Sequence, residues 1–126
     1  MNIMNNIKSF IVLLAIDSIY LYSMKNHYSD LITKIQGKGI TMRMVPTFFV
    51  YLLLYLGWYN FIFINKSKMT QKELLLNAFI LGFVIYGVYE LTNYAIIDDW
   101  TLKTVLIDTV WGGILLSLLT LVSLYL

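Results

Sequence analysis

Three carboxylic acids stand where an apolar chain has least use for them: Asp17 in "LLAIDSIYLY", Glu90 in "YGVYELTNYA" and Asp108 in "VLIDTVWGG". A carboxyl group can hold a proton, hand it on, balance a cation, or act as a general acid or base, and neighbouring hydroxyls and amides extend what it can do. Each acid has neighbours at helical spacing. Gly82, Tyr86, Glu90 and Asn93 fall along one stripe, flanked by Tyr89 and Thr92. Thr104, Asp108, Trp111 and Gly112 share a second face, and Leu13, Asp17, Tyr20 and Met24 a third. No lysine or arginine lies in these stripes, so the acids must be balanced by one another, by Tyr and Asn, by water, or by a cation from outside.

The elements that carry them are membrane-spanning helices. With 126 residues, 60% hydrophobic, 13% charged and a single proline, the composition excludes an ordinary soluble domain. A bilayer core about 30 Å thick takes about 20 apolar residues as helix, and the apolar runs place four spans near residues 7–25, 44–64, 73–97 and 102–126. They lack the period-two alternation of barrel strands, and backbone in lipid must be hydrogen-bonded within its own segment, so the fold class is all-α, one four-helix membrane domain over 1–126. The first run, "SFIVLLAI" after Lys8, resembles a signal-peptide core, but it continues through "YLYSM" with Asp17 inside it and meets no A-x-A-like site, so it is read as a retained span. With no cysteine there are no disulfides and no thiolate chemistry.

Depth links the three acids. The first span ends near Lys25, the third near Ile97, and the fourth begins near Leu102, all on one side of the membrane. Counting inward at 1.5 Å per residue puts Asp17, Glu90 and Asp108 each about 9 to 12 Å from that surface. A charge near mid-bilayer costs about 2.5 to 3.5 kcal/mol on insertion scales, and such residues normally face the bundle interior or water. Three like charges cannot all stay ionised in a dry cluster, so at least one is expected to be protonated at neutral pH.

The connections hold the remaining polarity. Between the first two spans Tyr28, Leu31, Ile32 and Ile35 recur at helical spacing while Asp30, Lys34 and Gln36 face away, which predicts a short interfacial amphipathic helix ended by Gly37 and Gly39. Pro46 fits the first turn of the second span. Charge leaves orientation open: Lys8, Lys66, Lys68 and Lys72 on one side face Lys25, Lys34, Lys38, Arg43 and Lys103 on the other. The sequon Asn65-Lys66-Ser67 lies too close to a span end to suggest use. The aromatic residues of the second span, Phe48, Phe49, Tyr51, Tyr55, Trp58, Tyr59, Phe61 and Phe63, are expected to face lipid or anchor the interface, with Trp100 in the same belt and His27 at the interface.

Taken in order, Asp17, Tyr28, the aromatic "FVYLLLYLGW" span, "YGVYELTNYAIIDDW" and "LIDTVWGGIL" resemble the small four-helix membrane proteins of domain-of-unknown-function family 2177. The family pattern is roughly Y-x-x-Y-[DE]-L-T-N-x-A-x-x-x-x-W, then D-x-x-W-G. Tyr86, Tyr89, Glu90, Leu91, Thr92, Asn93, Ala95, Trp100, Asp108, Trp111 and Gly112 match it. Glu90 stands where Asp is common, Tyr94 where Leu is, Thr101 where Pro is, and Tyr20 where Trp is. The resemblance spans nearly the whole chain and implies fold and site; it brings no activity with it.

Three functions compete at this point. The first is a proton or small-cation pathway: Asp17, Glu90 and Asp108 form the relay, Tyr20, Tyr86, Tyr89, Thr92, Asn93 and Trp111 its supporting shell, and Asp98 and Asp99 an acidic mouth. The far half of the bundle offers Tyr51, Tyr55, Ser117, Thr120 and Ser123 but no titratable relay, so conduction requires a water wire or a homo-oligomeric pore. The second is an interfacial enzyme acting on a lipid or small molecule; no nucleophile elbow, paired histidines or phosphate loop supports it, and a divalent ion held by the carboxylates has no ligand-spacing signature. The third is an accessory subunit whose polar network only packs the helices. No cofactor, metal or nucleic acid is implied; the partners expected are the bilayer, protons or small cations, and further copies of the chain.

Overall fold

The computed structural model describes residues 1–126. It is entirely helical: α1 (Ile3–Ser23), α2 (Lys25–Gln36), α3 (Met44–Phe61), a 3-10 turn (Phe63–Asn65), α4 (Gln71–Ile96) and α5 (Leu102–Ser123). Four stretches are long and apolar enough to cross a membrane, Ile3–Ser23, Met44–Asn65, Gln71–Ile96 and Leu102–Ser123, and α2 is the short helix expected between the first two. The first span starts a turn earlier than read from hydropathy, because the Asn2 side chain accepts from the Asn5 N–H at 2.8 Å and caps it. Thr70 and Thr101 cap α4 and α5 in the same way. Gly37 closes α2 at φ 78°, a left-handed conformation that glycine takes without a Cβ clash.

The helices are arranged as an arc. α5 packs along α4 on one side and against α1 on the other, and α1 meets α3. The α4–α5 seam is close because Gly82 faces Gly112: a methyl on Gly82 would run into the Gly112 carbonyl, and one on Gly112 into the Tyr86 ring. Gly113 leaves room for the Phe79 ring, and the Ser117 hydroxyl, one turn on, donates to the Leu75 carbonyl at 2.9 Å. Small residues thus let backbones approach where lipid offers no hydrophobic drive to helix association.

The main core fills the end of the bundle away from α2. Leu13, Leu54, Trp58, Phe63, Leu74, Leu115, Leu116 and Leu119 form one buried cluster drawn from all four spanning segments. Its polar groups are paired: Ser9 with Ser123 at 2.8 Å, and the Trp58 indole N–H with Thr120 at 2.8 Å. This corrects the expectation for the second span. Tyr55, Trp58 and Phe63 are buried in the core, while Phe48, Phe49 and Phe61 are exposed on the lipid side.

At the other end α2 folds over the α4–α5 corner. Leu31 packs with Trp100 and Val105, supported by Ile32, Ile35 and Ile97. His27 Nε2 lies 2.7 Å from the Thr104 hydroxyl, and Lys34 pairs with Asp99 at 3.6 Å across the surface. The apolar face read from the sequence is the face that docks, and α2 roofs the acid-bearing half of the bundle.

Candidate functional site

Asp17, Glu90 and Asp108 are all buried, and all three line one cavity of about 420 Å³ beneath α2. The helical rise dictates this meeting. α1 and α4 run toward the roof and α5 away from it, so residues six from each helix end arrive at the same level, about 9 Å down at 1.5 Å per residue.

Within the cavity the acids divide into a pair and a single. Asp108 neighbours Glu90 across the α4–α5 seam. Glu90 is fully buried; its Oε1 accepts from the Trp100 indole N–H at 2.8 Å, while Oε2 has no hydrogen-bond partner. Asp17 stands apart on α1. Its Oδ2 accepts from the Tyr51 hydroxyl and its Oδ1 from the Trp111 indole N–H at 2.9 Å. No three acid or imidazole groups converge closely enough to hold a metal ion.

A line of hydroxyls connects Asp108 to the roof. Tyr20 donates to Asp108 Oδ1 at 3.1 Å, and Tyr28 of α2 lies 2.7 Å from the Tyr20 oxygen. With its one proton on Asp108, Tyr20 accepts from Tyr28, so the chain runs Tyr28 to Tyr20 to Asp108. Burial pushes the Tyr28 hydroxyl above the ordinary phenol range, so it stays protonated and able to donate. The Tyr20 ring stacks on Trp111 with centroids 4.6 Å apart, which fixes both rings between Asp17 and Asp108.

The structure brings together most of the predicted residues. Tyr20, Tyr86 and Tyr89 line the cavity with the acids, and Trp111 bonds Asp17. Thr92 does not join them: it is exposed, its hydroxyl turned back to the Val88 carbonyl at 2.6 Å, because position 92 falls on the lipid side of α4. Asn93 is half-buried a turn above Glu90, outside the cavity. Of the two acids expected to form a mouth, Asp98 is exposed and Asp99 is engaged by Lys34.

Two residues assigned to lipid contact belong to the site. Trp100 is buried on Glu90 because the connection after α4 folds back in a tight turn, its N–H bonding the Ile97 carbonyl at 3.0 Å. Tyr51 holds Asp17 from α3, a helix apolar on every side and so without a readable inner face. The ten-residue interval from Glu90 to Trp100 was the available signal for the first; Tyr51 does not belong to the far half as expected, and its signal was depth, since seven residues from Met44 at 1.5 Å each put it about 10 Å down, level with the acids.

A second cavity, of about 520 Å³, opens between α3 and α4. Val50, Leu53 and Leu54 form one wall, Ile85, Tyr86 and Tyr89 the other, and Asp108 lies at its floor. The two cavities share Tyr86, Tyr89 and Asp108, so they adjoin across these three side chains.

The family model described as "Predicted membrane protein (DUF2177)" matches residues 2–125. No curated protein and no solved structure matches the chain. With its four spanning segments, the chain is a multi-pass integral membrane protein.

Proposed function

Because the chain belongs to the DUF2177 family of predicted membrane proteins, a description that carries no chemistry, we propose a function from its own residues: a small proton pathway gated inside the bundle. The observation that supports it is the hydroxyl chain from Tyr28 through Tyr20 to Asp108, at 2.7 and 3.1 Å, joining the interfacial helix to a buried carboxyl. A hydroxyl relays a proton by accepting one and giving up another, and carboxyls can store what it delivers. Asp108, its neighbour Glu90, and Asp17 across the same cavity act as the proton-exchanging set. Asp98, exposed at the corner above them, raises the local cation concentration at the mouth.

Below Asp17 the route crosses an apolar layer. Leu13 and Leu54 sit about one helical turn deeper, and the next polar groups, Tyr55 with Asn6 at 2.6 Å and Ser9 with Ser123, lie beyond them. A hydrophobic constriction of this kind passes protons only when water threads it, so it serves as the gate.

The test is proton flux in liposomes carrying the purified protein and a pH-sensitive dye. Flux above empty vesicles is expected under an imposed pH gradient or voltage, with collapse in Asp108→Asn and Glu90→Gln variants that still elute as folded protein. Folded variants that conduct like the parent chain, or a parent chain that conducts no better than bare lipid, overturn the proposal.

A further inference from the structure

The two cavities adjoin at Asp108, which lines both, and that adjacency has a use that proton conduction does not absorb. α3 makes a seam with α1 but none with α4 in the half of the bundle beneath α2, and the groove between them is walled by residues that face the bilayer. Leu53 is 67% exposed and Val50 55%, so the groove is open sideways, to acyl chains rather than to water. Its floor is Asp108, and past Asp108 lies the cavity that holds all three carboxyls.

Charge and hydrogen-bond supply in that cavity are unbalanced. The single cationic residue on its lining is Lys25 at the rim, and the Lys25 ammonium rests 4.4 Å over the Tyr22 ring. The donors that reach the acids, Tyr51, Trp111, Tyr20 and Trp100, leave Glu90 Oε2 buried with no N–H or hydroxyl donor, and the neighbour of Glu90 across the seam is another carboxyl, Asp108. A buried carboxylate oxygen in that position favours a donor, and a set of acids without a countercharge favours a cation.

We propose that the site takes a single-chain cationic amphiphile from the bilayer, its primary ammonium head at Glu90 and Asp108 and its alkyl chain in the α3–α4 groove. An ammonium supplies three N–H donors and the missing positive charge. The carboxylate head of a fatty acid meets like charge, and an alcohol supplies a donor without the charge. The inference rests on the cavities alone and stands or falls apart from conduction.

Photo-crosslinking of the purified protein in nanodiscs tests it, with dodecylamine carrying a diazirine in its chain as probe and the matching dodecanoic acid and dodecanol as controls. Saturable labelling by the amine, mapped by mass spectrometry to Val50, Leu53 or Ile85 and displaced by unlabelled dodecylamine, supports the proposal. Leu53→Trp, at an exposed position that does not threaten folding, is expected to cut labelling about tenfold by filling the groove, and Glu90→Gln to cut it severalfold. Equal labelling by the acid or the alcohol overturns the proposal. So does unchanged labelling in Leu53→Trp, and so does displacement by methylammonium as effective as by dodecylamine, which would make the site one for small cations. If Glu90→Gln fails to fold, the Leu53 variant and the headgroup series decide.

Discussion

The two halves of this bundle are built on opposite rules. Away from α2, all four spanning segments close around leucines and aromatic rings, and the buried polar groups are neutral and paired, as in Ser9 with Ser123 and Trp58 with Thr120. Beneath α2, three acids share a cavity, α3 stands off from α4, and one carboxylate oxygen has no partner. The first half needs only packing and could be rebuilt from other apolar residues. The second keeps ionisable groups that packing does not require, and it is there that the proposed function rests. The contrast teaches that the closed half supports the open one: α3 is held at its far end by Trp58 and tied to α1 through Tyr51 and Asp17, and it stands off only from α4, where it forms a groove wall.

The sharpest way to break this division is Trp58→Ala. Removing a fully buried indole from the closed half is expected to cost about 3 to 5 kcal/mol, read as a fall in the detergent-solubilised protein's unfolding temperature. A small loss would mean that α3 is not anchored there. Next comes the layer between the halves. Leu13→Asn, near in size, is expected to wet the constriction and raise liposome proton flux by about tenfold, equivalent to about 1.4 kcal/mol of barrier. Unchanged flux would move the gate elsewhere. In the open half, Tyr28→Phe removes the outermost hydroxyl of the chain and should lower flux by about two- to fivefold without altering unfolding, since water at the roof can replace it in part. Thr92→Ala should do least: the hydroxyl only bonds back to its own helix, and stability should move by less than about 0.5 kcal/mol with flux intact. A strong loss of flux there would return Thr92 to the pathway and place part of it on the lipid side of α4.

Much of the open half was legible residue by residue. Asp17, Glu90 and Asp108 could be set at one level by counting from span ends, because helical rise is fixed whatever the neighbours are. The stripe of Gly82, Tyr86 and Glu90 was legible for the same reason, and it is the stripe that faces α5. Thr92 went wrong because it flanks that stripe, and a shift of two residues turns a side chain by about 200 degrees on a helix of 3.6 residues per turn. Tyr51 and Trp58 went wrong because α3 carries apolar or aromatic residues all round, so no polar face marks its rotation.

By itself the amino-acid order determined a membrane protein of four spanning helices with a short interfacial helix, three acids at one depth, and Gly112 on the Asp108 face of the last helix. Those follow from local rules: hydrophobic length, helical rise and side-chain size. Only the tertiary structure decided that Asp17 is held apart from the Glu90–Asp108 pair, that Trp100 folds back onto Glu90, and that α3 turns Tyr51 inward while leaving a groove to the bilayer. Those depend on how helices rotate and splay against one another. In a chain apolar on nearly every face, that is set by contacts between distant segments and not by any pattern within one.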